Sequence, residues 1–201
     1  HKFKIAVWAT VYIGLYTMFY FAKKKIKCIG YDINKEKIKK INSGTLPLKD
    51  LRIWFGFDIR GLVKQNYLKA TSNYKNLITK EFLVHFIAIP TEKNGKPYYK
   101  PLMSVLNNIS KIKQENKTPP IIIVESTLAP KVSDKKIIPF LKKKKMIVGK
   151  NILLSVAPRR DWFIEGGKNL ENLDRVYGST DKKSTKVTKD VLSIVCKKLH
   201  V

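Results

Sequence analysis

The stretch from Lys4 to Asp32 limits what this chain can become more than any other. A short apolar segment (Ile5, Ala6, Val7, Trp8) leads into a turn and then into a helix-like segment around Gly14. A second short apolar segment (Cys28, Ile29, Gly30, Tyr31) follows and stops at an acid, Asp32. Strand, turn, helix, strand, acid is the order of a βαβ unit.

Such a unit can open a dinucleotide-binding sheet. The acid stands about 20 residues past the turn, where a ribose hydroxyl needs an acceptor. The phosphate turn itself departs from the G-x-G-x-x-G pattern, because it reads Ala9, Thr10, Val11, Tyr12, Ile13, Gly14. The first glycine of that pattern permits the tight turn, the second lets a pyrophosphate approach the backbone, and the third lets helix and strand pack closely. Gly14 is therefore the packing glycine, and the two that serve a ligand are replaced by Ala9 and Val11.

The same stretch has a second reading. Ile5 to Ala22 carries no charge, and Lys23, Lys24 and Lys25 follow it. A run of this kind approaches the lower length limit of a membrane span with a basic anchor. Asp32 and the periodic pattern beyond it fit one soluble unit better, so no membrane association is expected.

Charge bears on partners. The formal net charge is +26, with hydrophobic residues at 44% and aromatics at 10%. This is the composition of a globular chain with a true core. The excess is mostly lysine and is spread over the whole chain, whereas specific nucleic-acid readers favour arginine. It reads as solvated lysine faces that attract polyanions without sequence preference. Cys28 and Cys196 lie in apolar surroundings without metal or redox spacing, so buried thiols in a reducing, cytoplasmic compartment are expected. The histidines form no cluster, and His85, inside an apolar run, reads as a core residue. No metal is expected. The chain begins at His1 rather than Met and shows no cleavable leader pattern, which suggests part of a longer protein.

Beyond Asp32, Asn34 can cap a short helix with Ile38 and Ile41 on one face, stopped at Ser43-Gly44. Residues 48–67 are expected to hold a helix broken near Gly56 or Gly61, Leu68–Thr71 an edge strand, and Tyr74–Thr79 a helical turn or two. Phe82–Ile89 and Ile121–Val124 are unbroken apolar runs, as in strands buried on both faces of a parallel sheet. Between them, Pro101–Ile112 is amphipathic. Pro130–Lys145 predicts a further helix, Ile152–Val156 a strand, and Asp181–Leu199 a final helix. Alternation of strand and helix predicts an α/β fold: a doubly wound, mostly parallel, Rossmann-like sheet of about six strands, with ligands at the carboxyl ends of the strands.

Those strand ends resemble the UDP-glucose/GDP-mannose dehydrogenase family, in its N-terminal NAD-binding domain. The resemblance is carried by KIAV…YIGL, YDINKEKIKKINSGTLP, IAIPTEKNGKP, VESTLAP and APRRDWFIEGGKNLENLDRVYGS, and covers nearly the whole chain. It implies one NAD(P)-binding domain over residues 1–201, with the family's central and C-terminal domains, and the catalytic lysine and cysteine, lying outside this chain. It implies NAD as cofactor, a nucleotide sugar as substrate, and a homodimer in the full-length protein. The parent reaction oxidises a sugar C6 alcohol to the carboxylate, which this chain alone would not complete. By position, Val11, Tyr12, Ile13 and Gly14 form the phosphate turn. Asp32 accepts from the adenosine ribose, with Lys37 beside it. Pro90 and Thr91 line the nicotinamide side. Ser126 and Thr127 sit at the active centre, with Thr127 holding a catalytic water or hydroxyl. Glu165 matches a family glutamate near cofactor and substrate.

Departures from the family pattern open other readings. A β-carbon at a left-handed turn position costs about 1–2 kcal/mol, and Val11 would crowd a pyrophosphate. The family's glutamate after the proline is Arg159 here, so Arg159 and Arg160 are expected on the substrate side, where they can grip a phosphate. A degenerate, non-catalytic Rossmann module and a polyanion-binding protein are the two alternatives.

Overall fold

The computed structural model describes residues 3–48, 58–113, 118–159 and 170–201. The strands of its main sheet are β1 (Lys4–Trp8), β2 (Cys28–Tyr31), β3 (Leu68–Thr71), β4 (Phe82–Ile87), β5 (Ile121–Val124), β6 (Leu153–Val156) and β7 (Gly178–Ser179). They form one sheet in the order β7-β6-β5-β4-β1-β2-β3. Every pairing is parallel except that of β7, which runs antiparallel to β6 with Gly178 opposite Val156. The six parallel strands follow the expected doubly wound order, which reverses direction between β1 and β4. The added antiparallel edge strand is one that sequence periodicity does not reveal, because it is only two residues long.

The helices are α1 (Tyr12–Lys23), α2 (Lys35–Asn42), α3 (Arg60–Lys64), α4 (Lys100–Ile109), α5 (Ile138–Lys143) and α6 (Lys182–Leu192). Side chains alternate across the pleat into two cores. Ile5, Val7, Phe86 and Ile123 face one cluster with α1, α6 and Tyr177. Ala6, Trp8, Ile87, Ile122 and Val124 face the other, with α4 and α5. Helices on both faces explain why the strands read as unbroken apolar runs.

Helix α1 is buried almost all round, from Gly14 to Ala22. A helix buried on every side is apolar on every side, which is why its sequence mimics a membrane span. The turn at Ala9–Thr10 divides the uncharged run into strand and helix. No helix among the described residues is long and apolar enough to cross a membrane. Truncating Phe19 or Leu15 to Ala here would cost about 2–5 kcal/mol.

Several elements match the expected ones closely. Asn34 accepts from the Lys37 N–H (3.0 Å) to cap α2, Leu68–Thr71 is the edge strand, and Tyr74–Leu77 is a single 3-10 turn. Within the segment expected to hold a helix, α3 runs through Gly61 rather than breaking there, and residues 49–57, with Gly56, lie outside the described residues. Two helices differ. The segment expected from Pro130 opens instead with a π turn at Ser133–Ile137 and becomes α-helical only at Ile138. Pro139 has no N–H to donate within the helix, and a wider turn before it accommodates the missing bond. The final helix ends at Leu192, not Leu199. Beyond it the backbone finds tertiary partners, and Leu199–His200 pairs in parallel with Arg175–Val176.

His85 is fully buried, as expected. Its Nδ1 accepts from Trp8 Nε1 (3.2 Å) and its Nε2 lies 3.1 Å from the Phe82 carbonyl, which fixes the neutral ring with the proton on Nε2. Burial pushes its pKa down to about 4. Cys28 and Cys196 are both buried and unpaired.

Candidate functional site

The carboxyl ends of β1, β4, β5 and β6 surround a cavity of about 250 Å³ at the point where strand order reverses. Open α/β sheets bind ligands at this place. Val11, Tyr12 and Ile13 line one wall, Ala88, Ile89 and Pro90 a second, and Glu125, Ser126, Thr127 and Arg159 the third. Of the residues expected to act here, the cavity therefore brings together Val11, Tyr12, Ile13, Pro90, Ser126, Thr127 and Arg159. Asp32 follows the end of β2, and Lys37 of α2 reaches it there. Gly14 lies behind the turn and Thr91 beside it. Arg160 and Glu165 lie outside the described residues.

The phosphate turn is closed in a strained form. Ala9 has φ +72°, a left-handed position that suits glycine, so the expected penalty of about 1–2 kcal/mol falls on this residue. It does not fall on Val11, which is extended (φ −82°, ψ −179°). Val11 therefore bears no backbone strain; it is 36% exposed and lines the cavity. Gly14 is the packing glycine, since a methyl there would overlap the Ala9 carbonyl and lie 3.2 Å from Val7 Cγ1.

The turn is held from below by Asp32. Its Oδ2 accepts from the Thr10 N–H (3.0 Å), the Thr10 hydroxyl (2.6 Å) and Lys37 Nζ (3.1 Å), and its Oδ1 accepts from the Asn34 N–H (2.9 Å). Burial by itself would raise the Asp32 pKa; the hydrogen bonds from Thr10, Asn34 and Lys37, with the lysine charge, outweigh it and hold the carboxyl below its usual range. Oδ2 thus accepts from three protein donors and Oδ1 from one. Thr10, which the glycine pattern treats as a variable position, is the residue that ties turn to acid.

At the other end, hydroxyls staple the loops after β4 and β5. Ser126 donates to the Ile89 carbonyl (2.6 Å) and Thr91 to the Thr127 carbonyl (2.6 Å). Thr127 itself is exposed and lines the cavity. Behind it lies a buried ionic cluster. Glu125 accepts from Thr17 Oγ1 (2.6 Å) and from Arg175 Nη2 (2.5 Å), and Arg159 Nη1 lies 3.5 Å from it. Arg175 also donates to the Ala157 carbonyl (3.0 Å), and burial pushes up the pKa of Cys196 against the pull of the same guanidinium. Sequence reading passed over Thr17, Glu125 and Arg175. Glu125 carried a signal, as an acid closing a run of four buried apolar residues, and Arg175 lay in the quoted DRVYGS stretch without a role assigned to it, whereas Thr17 carried none.

The residues 3–195 match the model of the UDP-glucose/GDP-mannose dehydrogenase family, NAD-binding domain. The chain belongs to this family. It is 33% identical over 198 residues to a UDP-N-acetyl-D-mannosamine dehydrogenase of Methanococcus aeolicus, covering 94% of this chain and 41% of that protein. It is 27% identical over 198 residues to Protein CapL of Staphylococcus aureus, covering 95% and 43%. Among solved structures, the UDP-N-acetyl-mannosamine dehydrogenase of Staphylococcus aureus superposes with a TM-score of 0.82 at 26% identity, covering 98% of this chain and 46% of that one. The corresponding enzyme of Pyrococcus horikoshii gives the same TM-score, 0.82, and identity, 26%. The chain spans under half the length of the relatives it matches.

Family membership makes the cofactor NAD, and the residues present fit it. The crevice sits at the switch point, a buried acid, Asp32, follows β2, and α1 enters with no acid in its first turn and no side-chain cap at Val11. A helix N-terminus left in this state favours an anion.

Proposed function

We propose that this chain is the NAD-binding part of a nucleotide-sugar 6-dehydrogenase, as one domain over residues 1–201, with a UDP-N-acetylhexosamine such as UDP-N-acetyl-D-mannosamine as the substrate to test first. The observation that carries the reading is the crevice, in which Pro90 and Thr127 face the Val11–Ile13 turn across the β1/β4 switch point. NAD held between the Val11–Ile13 turn and the Pro90 and Thr127 loops would supply the hydride acceptor for oxidation at the sugar C6 carbon. The chain's own residues orient and exclude: Asp32 reads the ribose, Pro90 with Thr91 closes the nicotinamide side, and Ser126 fixes the loop from which Thr127 presents its hydroxyl to a water or substrate oxygen. Arg159 and Arg160 are assigned to anionic groups of the ligands, and Glu165 to the same neighbourhood by its sequence position alone. A cytoplasmic enzyme that dimerises at full length completes the proposal; sedimentation of the full-length protein tests the last point.

Calorimetric titration of the chain with NAD tests the cofactor site. Saturable binding weaker than in relatives with an intact glycine turn is expected, and no binding at millimolar NAD would refute the reading. Strain at Ala9 and bulk at Val11 favour a second reading, a Rossmann module that has lost the ligand. Restoring glycine at both positions separates the two: the proposal expects tighter NAD binding, and the second reading expects none.

A further inference from the structure

The segment 131–150 runs through the π turn and α5 to the loop before β6, and it holds eight lysines against one acid, Asp134. All eight lysines are exposed, four of them in the unbroken run Lys142 to Lys145. The segment is pinned from its other side. Val132, Ile137, Leu141 and Met146 are buried in the core that α4 and α5 cover. Burial of those four fixes the backbone, so the lysines are presented outward on one face of the molecule.

Lysines on the opposite face of the sheet behave differently. Lys24 at the end of α1 pairs with Glu171 (3.2 Å), Lys37 of α2 with Asp32 (3.1 Å) and Lys186 of α6 with Asp190 (2.9 Å). None of the eight lysines of 131–150 has an acidic partner among the described residues. Lys144 lies over the Phe140 ring instead, 5.7 Å from its centre. The carboxyl end of α5 favours the lysines of its last turn, but that effect does not extend to Lys131, Lys135 and Lys136 before the helix or to Lys150 after it. Like charges gathered without counter-charge repel one another in the folded state, and an anionic surface laid against this face removes that repulsion.

The residue types decide which anion fits. No arginine occurs between Arg60 and Arg159, so this face offers point charges and not the guanidinium fork that reads bases and phosphates in fixed geometry. Single-stranded nucleic acid needs aromatic faces on which to stack its bases, and Phe140, the aromatic of this segment, is half-buried beside Lys144. Pro139 and Ile147 stand exposed among the lysines, Ile147 at 37%. Clustered lysines with a few apolar neighbours suit the headgroup layer of an anionic bilayer. We propose that the α5 face adsorbs to an anionic lipid surface, with the Lys142 to Lys145 run as its centre and Ile147 as an apolar contact. This is contact with one leaflet and not the membrane span that the Ile5–Ala22 sequence mimics, and it does not depend on the dinucleotide reading.

Sedimentation with phosphatidylcholine vesicles, made with and without phosphatidylserine, tests the proposal. The chain should sediment with the anionic vesicles and not with the neutral ones, and added salt should release it. Combined Lys142→Gln, Lys143→Gln, Lys144→Gln and Lys145→Gln should weaken binding to anionic vesicles by about tenfold or more. A second variant removes the same charge from exposed positions on α2 and α3, by Lys35→Gln, Lys39→Gln, Lys40→Gln and Lys64→Gln. It should weaken binding by less than about threefold, because those charges lie away from the contact and are screened. All eight changed residues are exposed, so both variants should fold, and urea unfolding checks that they do. Equal loss in the two variants would assign the attraction to net charge and overturn the proposal. Failure of the wild-type chain to sediment with anionic vesicles at low salt overturns it as well. So does tighter binding to single-stranded RNA than to the vesicles, lost with the Lys142 to Lys145 run, which would give the face to nucleic acid.

Discussion

Two buried carboxylates, Asp32 beside the crevice and Glu125 in its wall, are built on the same chemical device and use it differently. After β2, Asp32 gathers a threonine hydroxyl, two backbone N–H groups and a lysine. In the wall, Glu125 gathers a threonine hydroxyl and two arginines. Asp32 is fed by backbone that is close in the chain or on the next strand, and its lysine is partly exposed, so it closes a turn. Glu125 draws its partners from α1, the end of β6 and the segment before β7, all buried, so it ties distant elements and fixes a side chain. A carboxylate satisfied by local backbone tolerates change; one satisfied by buried cations from elsewhere does not, because removing it leaves charges without water.

The largest effect should therefore come from Glu125→Ala, which strands two guanidinium groups in the interior and should cost about 3–5 kcal/mol in urea unfolding. A loss below about 1 kcal/mol would show that the two carboxylates are energetically alike. Acid is a second, independent probe. His85 has a folded pKa of about 4, depressed from an unfolded value of about 6.5. Its neutral form thus contributes fully above pH 6.5, and that contribution is lost as pH falls towards 4, by up to about 3 kcal/mol. Asp32, also depressed, acts later: its contribution is present above about pH 4 and is lost as pH falls through its lowered folded value. Unfolding followed against pH should show the first decline in wild type and a flattened one in His85→Gln; a first decline unchanged by that substitution would move the cause to the carboxylates.

Asp32→Ala should cost about 1–3 kcal/mol, since it orphans the Thr10 N–H and hydroxyl, and should weaken adenosine binding as well. An effect as large as that of Glu125→Ala would erase the contrast between local and distant partners. Smallest is Ala9→Gly, which relieves the left-handed residue and should raise stability by about 1 kcal/mol; a decrease would mean that chain entropy outweighs the strain at this turn.

How far the sequence could be read follows the range of the interactions. The βαβ start, the Asn34 cap and the buried strands are set by neighbours in the chain, and each was legible. The ends of α6 and α5 were not, because Lys197 and Arg175 take backbone partners across the structure and a proline widens the turn before α5. In the site, Thr127 and Pro90 were legible as strand-end residues of a family pattern. Thr10 was hidden, because its role exists only once β1 and β2 lie side by side.

Residue order alone determined a parallel, doubly wound sheet, a family, and a phosphate turn with Ala9 and Val11 in it, since periodicity, glycine loss and strand-end motifs are all local properties of a chain. Only the tertiary structure decided which of those two substitutions is strained, that Asp32 is largely committed to the protein, and that Glu125 and Arg175 stand behind Arg159. Those facts depend on dihedral angles and on burial of charges brought together from residues 17, 125, 159 and 175, and no local pattern encodes the desolvation that makes them matter.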